Sequence, residues 1–192
     1  MEYMLSLIAP WNLARGRTPH IRKRLTIKYY SNKYKTRTFV ETGTYLGDMI
    51  SAMSRHFTEI HSIELFRPLY EKARVRFAGK DNIHLYFGDS STGLAYILTK
   101  IKSPAVFWLD AHYSGGNTAQ GTKKTPILKE LDQIFKHSVK EHIILIEDAS
   151  DFTGLDDYPR IEQIENYVKQ SMPGYTVLVK DNMIHIIPLA TN

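Results

Sequence analysis

From Thr38 onward the chain alternates short, β-rich apolar runs with segments of helical pattern, and this constrains its fold more than any other feature. "TFVET" precedes "GDMISAMSRHF", "EIHSIEL" precedes "RPLYEKARVRF", and "IHLYFGD" precedes "STGLAYILTKI". "AVFWLDA" then precedes a glycine-rich stretch and "TPILKELDQIFKH", and "HIILIED" precedes a loop and "RIEQIENYVKQS". Alternation of this kind builds βαβ units, a mostly parallel sheet and helices on both of its faces. Strands that are apolar almost throughout agree with a sheet covered on both sides. The chain ends differently. "YTVLV" and "MIHIIPL" are separated only by "KDN", a hairpin signal, so the last two strands should be antiparallel neighbours. The expected class is α/β, Rossmann-like, with a C-terminal antiparallel hairpin.

Local signals support the helices. Thr125 with Pro126 makes an N-cap and first helical residue, and Ser90 or Ser91 could cap the helix that runs towards Ile101. A length of 192 residues suits one sizeable core rather than two. Charge divides the chain at about residue 37. Residues 1–37 hold nine Lys or Arg and one acid, a net of +8, while the remainder holds 16 basic and 19 acidic residues, a net of −3. We therefore expect a basic N-terminal arm or lid (1–37) ahead of a ligand-binding domain (38–192), within a single domain overall. The arm reads either as a helix with an aromatic face or as a mobile lid. No apolar run approaches the ~20 residues of a membrane span. "EYMLSLIAPW" lacks a preceding basic region, which argues against a secretory signal. A soluble, cytoplasmic protein is the expectation. There are no cysteines, which removes disulfides, thiolate nucleophiles and thiolate metal ligands together.

The chemistry collects at strand ends. In "FVETGTYLGD", Glu41, Thr42, Gly43, Thr44, Tyr45 and Gly47 occupy the turn from the first strand into the first helix. Glycine there allows a backbone to approach a ligand closely, and it equally eases an ordinary turn. The dinucleotide fingerprint G-x-G-x-x-G is not met, because Tyr45 stands where its second glycine would be. Glu64 ends the second strand and could accept hydrogen bonds from both hydroxyls of a ribose. Asp89 and Ser90 end the third. In an open α/β sheet, ligands bind beyond the carboxyl ends of the strands, where these segments converge. An adenosine-containing cofactor is the leading candidate.

On these residues the chain resembles the class I S-adenosylmethionine (SAM)-dependent methyltransferases, over roughly residues 38–189. The family's acid-x-G-x-x-x-G loop is matched by Glu41, Gly43 and Gly47, and its acid at the end of strand two by Glu64. Its adenine-contacting acid after strand three is matched by Asp89. The resemblance implies a seven-stranded sheet closed by the hairpin, with SAM as cofactor.

"FWLDAHYSGG" poses a separate question, because an apparently buried strand ends in Asp110 with His112 two residues on. In a doubly wound order the next strand, "IILIED", lies alongside and brings Glu147 and Asp148. Three carboxylates at one edge repel unless protonated or bridged by a cation. An all-oxygen site suits Mg²⁺ first, with Mn²⁺ or Ca²⁺ as substitutes. Either a metal site of Asp110, Glu147 and Asp148, or a set of turn and cap acids, is compatible with the residues. The constellation resembles the metal-dependent O-methyltransferase branch, which includes catechol-type and sugar-methylating enzymes. That resemblance implies Asp110 as ligand and catalytic residue, His112 as general base and a hydroxyl-bearing acceptor. A sugar in a glycan or nucleotide sugar is the first choice, with catechols or small phenols second. Cytosine C5 methylation is excluded by the missing cysteine, and "DAHY" stands where amino-methylating DNA enzymes carry Pro-Pro-aromatic. The +8 arm keeps open a nucleic-acid methyltransferase or binding module, and the fold alone would also permit a non-catalytic scaffold.

Overall fold

The computed structural model describes residues 18–110 and 125–189. Helix α1 (His20–Tyr34) leads into β1 (Thr38–Thr42), α2 (Asp48–Met53), β2 (Glu59–Glu64) and α3 (Arg67–Arg76). Next come β3 (Ile83–Phe87), α4 (Ser90–Leu98), β4 (Ala105–Leu109), α5 (Ile127–Lys136) and β5 (Ile143–Ile146). A 3₁₀ turn (Ala149–Asp151), α6 (Ile161–Ser171), β6 (Tyr175–Lys180) and β7 (Met183–Pro188) complete the order. One sheet of seven strands runs β3-β2-β1-β4-β5-β7-β6. The first five are parallel, and β7 lies antiparallel to both β5 and β6. The hairpin is tighter than "KDN" suggests. Lys180 pairs with Met183, and Asp181 and Asn182 alone turn the chain, with φ of 53° and 54°. Two consecutive left-handed residues are the signature of a type I′ turn, which Asp and Asn tolerate well.

Strand alternation divides the core into two layers. Phe39, Ile60, Val106, Trp108, Ile143 and Leu145 face α1, α2 and α3, together with Ile27, Tyr30, Ile50 and Phe77. Val40, Ile63, Phe107, Leu109, Ile144 and Ile146 face α4, α5 and α6. The doubly covered sheet explains why its central strands carry no polar alternation. Two helix starts differ from expectation by one residue. Asp89 caps α4, its carboxylate accepting from the Ser91 N–H at 2.8 Å, so Ser90 is the first helical residue and not the cap. Pro126 stands at the cap position of α5, while the Thr125 hydroxyl accepts from the Ile127 N–H at 3.4 Å.

Helix α1 shares the core of the sheet. Lys23, Thr26, Ile27, Tyr30 and Ser31 are its buried residues, an i, i+3, i+4, i+7, i+8 stripe. The Tyr30 hydroxyl meets His185 Nδ1 of β7 at 3.0 Å, and Arg22 pairs with Asp181 at the hairpin tip at 2.5 Å. No helix among the described residues is long and apolar enough to cross a membrane.

Candidate functional site

The strand order reverses between β1 and β4, and a sheet of this kind opens a crevice at that point, beyond the carboxyl ends of the strands. The ladder continues one residue past each strand. Gly88 N–H donates to Glu64 O at 2.9 Å, Gly43 N–H to Ile63 O at 3.0 Å, Asp110 N–H to Thr42 O at 3.1 Å and Glu147 N–H to Leu109 O at 3.1 Å. Asp89, Glu64, Gly43, Asp110 and Glu147 therefore line up along one edge in that order. With a period of two, Glu41, Glu64, Asp110 and Glu147 continue the series that carries Phe39, Ile60, Trp108 and Leu145, on the α1 side.

The β1–α2 loop is held by one carboxylate. Glu64, 7% exposed, accepts from the Tyr45 N–H through Oε2 and from the Phe66 N–H through Oε1, both at 2.8 Å. Gly43, Tyr45 and Gly47 all have positive φ, at 86°, 49° and 78°. A β-carbon on Gly47 would lie 2.6 Å from the Phe77 ring, so close packing as well as backbone conformation demands glycine there. Tyr45 and Leu46 remain 52% and 48% exposed beside the crevice. Beneath the loop the Ser62 hydroxyl donates to Glu41 Oε2 at 2.8 Å and lies 2.6 Å from the Thr44 hydroxyl. Burial, with repulsion from Asp110 and Glu64 added, holds the Glu41 carboxyl well above the usual carboxylate range.

These residues fit an adenosine cofactor. A carboxylate offers about four lone pairs, and the loop's backbone takes one at each oxygen of Glu64. Each oxygen thus has capacity left for a diol hydroxyl. Thr42 Oγ1, fully buried at the end of β1, has no hydrogen-bond partner among the described residues.

The acidic set on the other side of the crevice is organised differently from a metal centre. Glu147 is ion-paired to Lys23 of α1, and both side chains are nearly buried, at 8% and 9% exposure. Asp148 adopts a left-handed conformation (φ 51°) and accepts from the Asn182 side-chain amide at 3.3 Å. Among the described residues no group of three His, Cys, Asp or Glu side chains is placed to hold a metal ion. The residues present therefore do not fit the divalent cation that Asp110, Glu147 and Asp148 suggested. His112 lies outside the described residues. Tyr158, unremarked in the sequence, approaches the same edge. Burial and then the neighbouring Asp151, Asp148, Asp110 and Asp156 push its phenol up to about 12, so it remains a neutral hydrogen-bond donor. Lys23 was equally easy to miss, although its i, i+4, i+7 spacing to Ile27 and Tyr30 marks a buried stripe.

No protein-family model and no curated protein matches this chain. Solved structures do. An O-methyltransferase from Bacillus cereus in complex with S-adenosylhomocysteine (SAH) superposes with a TM-score of 0.64 at 15% identity, covering 97% of this chain and 89% of that one. The fold is that of the class I methyltransferases. The O-methyltransferase TomG from Streptomyces achromogenes, in complex with SAM, gives 0.59 at 13% identity over 98% and 95% of the two chains. The 23S rRNA methyltransferase ErmE gives 0.51 at 14% identity over 88% and 71%. At these identities the likeness speaks for the fold. It does not choose between a small acceptor and RNA.

Proposed function

We propose that the chain is a SAM-dependent O-methyltransferase. The observation that carries this reading is Glu64, a nearly buried carboxylate at the end of β2 whose two oxygens fix the glycine loop at the crevice. Glu64 would take the ribose hydroxyls, Gly43 to Gly47 the backbone-facing side of the cofactor, and Asp89 with Ser90 the adenine end. Asp110 lies at the edge where a cation is to be held, and an arriving positive charge there favours the ionised form of Glu41, which burial otherwise disfavours. When bound, SAM supplies an electrophilic methyl group on a sulfonium, which leaves with the C–S electron pair as a neutral thioether. His112, whose ordinary pKa of ~6.5 lets it accept a proton at neutral pH, is the base that takes the acceptor's hydroxyl proton.

A sugar hydroxyl is the acceptor we place first, with catechols and small phenols behind it. The nucleic-acid alternative leans on the basic N-terminal segment. Two of its cations, Arg22 and Lys23, are turned inward onto Asp181 and Glu147, which favours a small acceptor. No step in this mechanism uses a divalent cation.

Calorimetric titration of SAH tests the reading. We expect saturable, micromolar binding that is unchanged by chelation. A folded chain that takes up no SAH overturns the assignment. Transfer of a labelled methyl group to sugars, catechols or RNA then identifies the acceptor class.

A further inference from the structure

Period-two alternation points Glu41, Glu64, Asp110 and Glu147 to the face that α1 covers, and α1 answers with Lys23 on its buried stripe. The Lys23 ammonium meets Glu147 where solvent is nearly absent. Its neighbour Arg22 is tied to Asp181, and the Thr18 hydroxyl donates to the Asp181 carbonyl, so the start of the helix is pinned to the hairpin tip. Asn182 of the same tip also accepts from the Ser150 N–H at 2.7 Å through Oδ1, which fixes the turn that follows Glu147. Helix and turn are thus held against one shared support. A divalent ion on Glu147 would have to displace the ammonium and leave it buried beside a like charge, an arrangement that a low-dielectric site strongly disfavours.

We infer that Lys23 is the resident cation of this site: methyl transfer is metal-independent, and the Lys23 ammonium, oriented by Glu147, supplies the positive charge that the acceptor oxygen meets. This rests on the methyl-transfer reading above. The proton released by the acceptor hydroxyl passes to the base of that reading, and Lys23 takes no part in the proton transfer. Its contribution is electrostatic, a fixed charge already aimed where negative charge develops.

The test uses the full chain and Mn²⁺ as the metal probe, followed by the paramagnetic resonance of the free ion, alongside SAH calorimetry and methyl transfer in chelator. The unaltered chain should take up no Mn²⁺ below millimolar concentration, and its activity should survive chelation. Lys23→Met releases Glu147, so Mn²⁺ binding should tighten at least tenfold, and adding Glu147→Gln should remove that gain. Methyl transfer by Lys23→Met should fall at least a hundredfold while SAH affinity stays within threefold. Micromolar Mn²⁺ uptake by the unaltered chain, lost in Glu147→Gln, overturns the inference. So does a Lys23→Met chain that keeps its activity within threefold. If Lys23→Met does not fold, the unaltered chain and Glu147→Gln decide the matter alone. The two failures are separable. Absence of SAH binding overturns the methyl-transfer reading and this inference with it, whereas Mn²⁺ uptake beside normal SAH binding overturns only the inference.

Discussion

The two sides of the crevice are built in opposite ways. On the β1–β2 side, proposed to hold the cofactor, Glu64 reaches back to Tyr45, 19 residues earlier, and forward to Phe66, two residues later. On the β4–β5 side, proposed to take the acceptor, the contacts run between segments far apart in the chain. Arg22 meets Asp181 across 159 residues, and Lys23 meets Glu147. A short-range site can be read from neighbouring motifs and keeps its geometry while the first three strands pair. A long-range site exists only once α1 has docked. The contrast predicts that damage to the two sides will look different, the first as lost cofactor affinity and the second as lost turnover with cofactor binding intact.

The largest expected effect tests the first half of that statement. Glu64→Ala removes the acceptor of two backbone N–H groups and of the proposed ribose hydroxyls. Hydrogen bonds to a charged group contribute about 1.5–3 kcal/mol each, so SAH affinity should fall more than a hundredfold by calorimetry. A folded variant within tenfold of the unaltered chain would remove Glu64 from the cofactor site.

Gly47→Ala attacks the same loop through packing. The new methyl group meets the Phe77 ring at 2.6 Å while the backbone stays at φ 78°. Overpacking and the left-handed penalty together should cost about 2–4 kcal/mol in urea unfolding. Gly79 is the control, with φ 74° and no atom within 4 Å of its added carbon. Gly79→Ala should cost only the backbone share, about 1–2 kcal/mol. Equal losses at the two positions would show that the Phe77 contact is relieved by movement of the ring.

These two variants also show where the sequence was legible. The strands themselves followed from apolar runs alternating with helical segments, because a doubly covered sheet leaves little freedom in which residues face the core, while of their order only the β4–β5 adjacency and the closing hairpin were legible. The clustering of Glu41, Gly43, Gly47 and Glu64 at the strand edge was legible for the related reason that their partners are near in sequence. Glu147 and Asp148 misled because adjacent acids look like a pair. In an extended chain consecutive side chains point to opposite faces, and Asp148 departs from its strand in a left-handed turn towards Asn182. Lys23 was hidden by its surroundings. Within a run of basic residues it read as part of a basic arm or lid, although Ile27 and Tyr30 on the same stripe fall in the core.

A third experiment moves to the opposite ends of the same strands and separates the pH response of the fold from that of the site. His142 Nδ1 accepts from the Ala105 N–H at 3.1 Å, and its Nε2 lies 3.0 Å from His137 Nδ1. Burial, with repulsion from His137 added, lowers its pKa to about 4. The unfolded chain, with a histidine pKa of ~6.5, then binds more protons than the folded one between these values. Stability therefore falls as pH drops from about 6.5 to about 4 and levels off below, by at most about 3 kcal/mol from this residue. Urea unfolding at pH 7 and pH 4.5 measures it. His142→Asn, which keeps an acceptor for Ala105, should flatten the slope, and an unchanged slope would place the response elsewhere.

The smallest effect is the most discriminating for the comparison itself. Arg22 and Asp181 are only 14% and 18% exposed, but neither carries the crevice chemistry. Arg22→Ala should lower stability by about 1 kcal/mol, the upper end for an ion pair that keeps some solvent. Since it loosens α1 and leaves the Glu64 loop untouched, SAH affinity should stay within twofold while methyl transfer weakens through a less firmly held Lys23. A fall in SAH affinity approaching that of Glu64→Ala would mean that the docked helix shapes the cofactor loop as well. The site would then be a single cooperative unit rather than a local half joined to a long-range one.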